Sequence, residues 1–284
     1  MSNGRSNREM ALALDRPRLS RLVLLLTIAS ILVASLIFTA ADAEGAKPPR
    51  TKPTIVLVHG AWAGPSGWDH VVRELHKHKY HTVTPTLDLM SVAGDVATVR
   101  AALDSISGKK ILVGHSYGGF VISGASAGRS DVLGLVYTAA FVPDEGDSII
   151  SLGQGYVPPA VLPHLAFTGE YFNSPSYIAP DFFHSTFAAD LSDEQANAMN
   201  AEQRPANAPL LGTPSGPVGW HTLPSWYAMS GQDLVIDPAL QEFMAERAGS
   251  TTIEFGDASH VGGFTRYAKS FADLIEEAVR TTTG

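Results

Sequence analysis

The sequence predicts a doubly wound α/β fold, a mostly parallel sheet of about six strands with an inserted cap. Three observations point there. Continuous apolar runs such as Thr54-Ile55-Val56-Leu57-Val58 have the composition of parallel strands buried on both faces. Stretches with helical spacing lie between such runs, so strand and helix alternate along the chain. Prolines are the third: 11 of 18 fall between Pro143 and Pro224, where long regular helices are therefore not expected.

In chain order, the run at Thr54 is followed by Trp68, Val71, Val72 and Leu75 at i, i+3, i+4 and i+7, which predicts an amphipathic helix over 66–78. A strand near His81 to Thr84 and a helix near Asp95 to Ser105 come next. Ile111-Leu112-Val113 is a strand that runs into Gly114-His115-Ser116-Tyr117-Gly118-Gly119 and then into the helix-compatible Phe120-Val121-Ile122. Leu133 to Thr138 is the next strand. Inside the proline-rich insertion, 143–224, the clearest helix start is Leu191-Ser192-Asp193-Glu194-Gln195, with Ser192 as N-cap and Gln195 in the capping-box position. Ser225 to Ser230 resumes the sheet. Pro238 opens a helix through Leu240, Phe243, Met244 and Arg247, Thr251 to Phe255 is the last strand, and an amphipathic helix ends the chain.

Residues 1–43 read as a separate segment. Arg16, Arg18 and Arg21 precede the apolar run Leu22 to Phe38, and Ala41-Asp42-Ala43 satisfies an A-x-A processing pattern, so a signal peptide cleaved after Ala43 and a secreted or periplasmic location are expected. The alternative is an uncleaved N-terminal anchor, the one case in which a membrane would be a partner. Residues 44–284 then form one domain. Removing 1–43 takes the net charge from −8 to −10, with 15 basic side chains against 25 acidic ones, which argues against nucleic acid as a partner. The chain has no cysteine, so its core alone must hold it. His76, His78 and His81 are close in sequence but point in different directions around a helix end, and neither metal nor cofactor is expected.

The chemistry-bearing motif is the Gly-x-Ser-x-Gly at Ser116, set between a strand and a helix. A strand that turns sharply into a helix strains the backbone at the serine, crowds the neighbouring segments and lifts the hydroxyl out of the sheet. Downstream, His260 stands in the glycine-bearing loop Gly256 to Gly263, just past the last strand; imidazole titrates near neutrality and suits a general base. Asp233 follows the strand Ser225 to Ser230 and is placed to fix the tautomer of His260. Asp237 directly precedes Pro238 and reads instead as that helix's N-cap. Asp144, after an earlier strand, is a further acid to be weighed.

From Lys52 onward the chain resembles the α/β-hydrolase superfamily, and within it the small cofactor-free esterases related to plant methylesterases and hydroxynitrile lyases. Val58-His59-Gly60-Ala61-Trp62, the elbow at Ser116, Pro143-Asp144-Glu145-Gly146 and the Asp233 to His260 segment carry the likeness. The resemblance implies the triad order Ser116, Asp233, His260, and an oxyanion hole from the backbone N–H groups of Ala61 and Tyr117, with His59 structural. It also implies loss of the two antiparallel strands that open longer relatives, since only ten residues separate Glu44 from Thr54. The lyase members carry a threonine in the oxyanion loop and a lysine near the histidine; here stand Ala61 and Val261-Gly262-Gly263, so ester hydrolysis is favoured. Aromatics of the insertion, including Phe167, Tyr171, Phe172, Tyr177, Phe182, Phe183, Phe187 and Trp220, suggest an apolar pocket for small to medium uncharged esters. Competing expectations are a hydrolase-like ligand-binding protein with slow turnover, or lactone opening, perhydrolysis or C–C cleavage on the same scaffold.

Overall fold

A computed structural model describes residues 52–170 and 174–284; the expected processing segment, 1–43, lies outside them. Six strands form one parallel sheet in the order β2-β1-β3-β4-β8-β9: β1 Thr54–Val58, β2 Thr82–Val83, β3 Lys110–Ser116, β4 Val132–Ala140, β8 Ser225–Ser230 and β9 Thr251–Phe255. Strands β1 and β3 are buried along their whole length, as their unbroken apolar runs predict for a sheet covered on both faces. The covering helices are α1 Asp69–Lys77, α2 Val92–Ser105, α3 Tyr117–Ser126, α7 Pro238–Arg247 and α8 Ala268–Thr283, with α1 packed against α8 and α2 against α3. Among the described residues no helix is long and apolar enough to cross a membrane.

The strand order positions the site. From β1 the chain crosses to β2 on one side and returns to β3 on the other, so the direction of winding reverses between β1 and β3. Crevices outside the carboxyl ends of strands at such a reversal are where open α/β sheets bind ligands. Here the ends are Val58, which leads into His59-Gly60-Ala61, and Ser116. The pairing of β3 with β4 slips at that point, from His115 opposite Thr138 to Ser116 opposite Ala140.

The insertion departs from expectation. It holds the short helices α4 Ile149–Leu152, α5 Pro180–Phe187 and α6 Asp193–Ala201, and also a three-stranded antiparallel sheet of β5 Leu165–Phe167, β6 Pro175–Ile178 and β7 Ala206–Asn207. These strands are two to four residues long, too short for alternation to register in the sequence. The predicted capping box does form: Ser192 Oγ accepts from Gln195 N at 3.3 Å, and the Gln195 side chain accepts from Ser192 N at 3.2 Å.

Candidate active site

Ser116 sits at φ 53° and ψ −125°, a conformation that an L-residue adopts only at a cost of about 1–3 kcal/mol. The surroundings hold it there. A Cβ on Gly118 would come within 2.2 Å of the Val58 carbonyl oxygen, and one on Gly60 within 2.8 Å of the Ser116 Cβ, so only glycine lets the loop after β1 and the elbow approach this closely. Phe141 N donates to the Ser116 carbonyl at 3.1 Å and ties the turn to the end of β4.

Asp233 and His260 meet in the interior. His260 Nδ1 is 2.8 Å from Asp233 Oδ2, both side chains are fully buried, and His260 Nε2 is buried with no hydrogen-bond partner among the described residues. Asp233 Oδ1 accepts from the backbone N–H groups of Val235 (2.7 Å) and Ile236 (3.0 Å), which fixes the plane of the carboxylate. Gln241, buried on α7, completes the set: its Nε2 donates to Asp233 Oδ2 at 2.9 Å and to Ile236 O at 2.9 Å, while its Oε1 accepts from Ser230 N at 3.0 Å. Asp237 does what its sequence position indicates, with Oδ1 accepting from Ala239 N and Oδ2 from Val157 N. Asp144 lies away from this network and pairs with His221 at 3.0 Å near the surface.

His115 links the two halves of the site. Its Nε2–H donates to the backbone carbonyl of His260 at 3.0 Å, and its ring lies 4.6 Å from that of His260. Burial holds the His115 pKa well below the ordinary histidine value, so the ring is neutral. Leu87 N donates to His59 Nε2 at 3.0 Å, which leaves His59 Nδ1 as the N–H that donates to Gly60 O at 2.9 Å. Burial, reinforced by Arg204 and opposed by the Gly60 carbonyl, lowers the His59 pKa from 6.5 to about 4. This neutral imidazole braces the loop between β1 and Trp62, as expected of a structural residue.

Ala61, Ser116 and Tyr117 line one cavity of about 260 Å³. Tyr117 opens α3, where the first N–H groups have no intrahelical acceptor. Its phenol donates to the buried Asp95 Oδ2 at 2.8 Å, and Asp95 Oδ1 accepts from the backbone N–H groups of Asp88 and Leu89. Desolvation raises the Tyr117 pKa, and the Asp95 carboxylate adds to the rise, so the phenol stays protonated. Sequence reasoning missed Asp95, His115 and Gln241. Only Asp95 left a trace, as a polar residue at helical spacing with the buried Val92, Val99 and Leu103.

The aromatic wall expected of the insertion is largely not there. Phe183 and Phe187 are core residues, Phe182 faces solvent, and Trp220 donates through Nε1 to Pro143 O at 2.7 Å; Tyr171 and Phe172 lie outside the described residues. What the insertion gives this pocket is aliphatic, Ile149, Ile150, Val161 and Leu162; its aromatic lining, Trp62, Tyr117 and Phe141, comes from outside the insertion's helices and strands, and of the expected aromatics Phe167 lines an adjoining cavity. Among the described residues no group of three or more metal-ligating side chains comes together.

Residues 55–274 match the model of the alpha/beta hydrolase family. A carbendazim hydrolyzing esterase of Nocardioides sp. (strain SG-4G) is 39% identical over 121 residues, a match covering 37% of this chain and about half, 49%, of that protein's length. An alpha/beta hydrolase of Aspergillus novofumigatus (strain IBT 16806) is 28% identical over 253 residues, 82% of this chain and 97% of its own. In fold, a pyrethroid hydrolase from Sphingobium faniae JZ-2 superposes with a TM-score of 0.70 at 22% identity, covering 82% of this chain and 99% of that one. A methylesterase from Arabidopsis does so with a TM-score of 0.62 at 20% identity, covering 79% and 98%. The sheet order, the elbow and the extent of the match agree: this chain belongs to the alpha/beta hydrolase family.

Proposed function

We propose that this protein hydrolyses apolar carboxylic esters through an acyl-enzyme, with Ser116 as nucleophile, His260 as general base and acid, and Asp233 as the partner of His260. The observation that carries it is the buried imidazole whose Nδ1 is bound by Asp233 while Nε2 has no hydrogen-bond partner among the described residues. An imidazole held this way presents a lone pair at Nε2 only. Ser116 Oγ attacks the ester carbonyl carbon and gives its proton to Nε2. The oxygen of the tetrahedral intermediate accepts hydrogen bonds from the N–H groups of Ala61 and Tyr117, donors of a kind worth about 3–4 kcal/mol each in the transition state. Collapse breaks the bond to the alkoxide, which takes the proton from His260. Water then repeats the sequence on the acyl-enzyme and releases the acid.

No step requires a metal or cofactor, so activity should persist in EDTA. The strained serine supports this reading over that of a binding protein with slow turnover, because strain of this kind concentrates at sites that do chemistry. Ser116→Ala should lower kcat by a factor on the order of 10⁶ with little change in Tm. A fluorophosphonate adduct located by mass spectrometry on a different serine would remove Ser116 from this role.

A further inference from the structure

Among the described residues two cavities meet at Ala61 and Trp62 of the loop proposed to hold the oxyanion. The first, about 260 Å³, contains Ser116. The second, also about 260 Å³, is walled by Leu165, Phe167, Ser176, Ala206 and Leu210 from the antiparallel sheet of the insertion and the turn after it. They share Ala61, Trp62, Tyr117, Ile150, Leu162 and Leu211, so the two meet along the residues proposed to hold the oxyanion. Resting on the reading of Ser116 as nucleophile, we propose that the substrates are uncharged esters with a bulky apolar group on each side of the carboxyl, one group seated in each chamber.

Size and chemistry both support this. Pockets that enclose a ligand of some twenty to thirty heavy atoms run from about 300 to 1,000 Å³; each chamber alone falls short and the pair falls within that range. A short acyl or methyl group would leave most of one chamber unfilled. Among the described residues no charged side chain lines the second chamber. In the first, Asp237 is the only one among the described residues, and its two oxygens are engaged by Ala239 N and Val157 N. The polar side chains of the second are also occupied: Trp62 Nε1 donates to Ser176 Oγ, Ser176 Oγ to Ala206 O, and Asn207 Nδ2 to Met90 O. Along the shared boundary Ile150 is 59% exposed and Leu162 42% exposed, apolar surface that a ligand spanning both chambers would cover.

The test uses four esters: ethyl acetate, 2-phenylethyl acetate, ethyl 4-phenylbutyrate and 2-phenylethyl 4-phenylbutyrate, followed by acid release in a pH-stat. The expected result is a kcat/KM for the doubly bulky ester at least tenfold above either singly bulky one. Leu165→Trp, which fills the second chamber from a half-buried strand position, should lower the ratio of kcat/KM for the doubly bulky ester to that for ethyl acetate tenfold or more. Phe167→Ala, which enlarges the same chamber, should improve an analogue carrying naphthyl in place of one phenyl, and so tests the chamber even if the tryptophan variant fails to fold. Turnover without a preference for the doubly bulky ester, or an equal effect of both variants on all four substrates, overturns the two-chamber assignment and leaves the hydrolase reading standing. Failure to cleave any of the four, together with no fluorophosphonate labelling of Ser116, overturns both.

Discussion

Asp233 and Asp237 are four residues apart, and the difference between them lies in what their oxygens face. Asp233 is surrounded by donors, two backbone N–H groups on Oδ1 and the Gln241 and His260 nitrogens on Oδ2. Asp233→Asn would set an amide N–H₂ against those two nitrogens, push His260 toward the wrong tautomer and lower kcat by about 10⁴. Asp237→Asn should keep the activity and reduce stability by about 1 kcal/mol, since a neutral cap still accepts from Ala239 N. Steady-state rates and denaturant titrations on both variants check this, and activity lost at Asp237 but kept at Asp233 would exchange their roles. The division was legible in the sequence because proline at 238 marks its predecessor as a cap. Asp95, His115 and Gln241 were much less so, since nothing local distinguishes a polar side chain bound in the core from one that faces water.

At the scale of elements, α7 does more than cover the sheet. It carries Gln241, which ties the end of β8 at Ser230 to the loop at Ile236 and to the carboxylate of Asp233. On the proposed mechanism Gln241 is a positioning residue, acting on the reaction only through Asp233 and His260. Gln241→Met keeps the volume and deletes every one of these bonds, leaving Ser230 N and Ile236 O without partners. It should reduce stability by about 1–3 kcal/mol. With one donor gone, more of the Asp233 negative charge is left to the His260 N–H, so the acid limb of the kcat/KM profile should move to higher pH while KM stays near its original value. An unmoved pH profile would reduce Gln241 to a packing role. The elements themselves differ in how plainly the sequence announces them. β1 and β3, buried on both faces, are visible as unbroken apolar runs, and α1 as a stripe at i, i+3, i+4 and i+7. The sheet of the insertion was invisible because β5, β6 and β7 pair residues far apart with almost no pattern of their own.

For the whole molecule, the buried neutral histidines set a pH limit on stability. An unfolded chain protonates histidine near pH 6.5, but His59 resists until about pH 4 because burial penalises its charged form. Between those values the unfolded state binds more protons, so the contribution is fully present above about pH 6.5 and is lost as the pH falls toward 4. For His59 alone the shift corresponds to about 3 kcal/mol. His115, lowered by burial and by its neighbour His260, acts in the same direction. Asp95 opposes them: desolvation raises its pKa despite the hydrogen bond from Tyr117, so its protonation on acidification favours the folded state. Two imidazoles should outweigh one carboxyl, and the unfolding free energy from urea titration should fall by at least about 2 kcal/mol between pH 7 and pH 4.5. His59→Gln retains a donor and an acceptor but does not titrate; it should start less stable at pH 7 and lose clearly less than the parent on acidification. Parallel curves for the two proteins would show that the acid sensitivity comes from elsewhere in the chain.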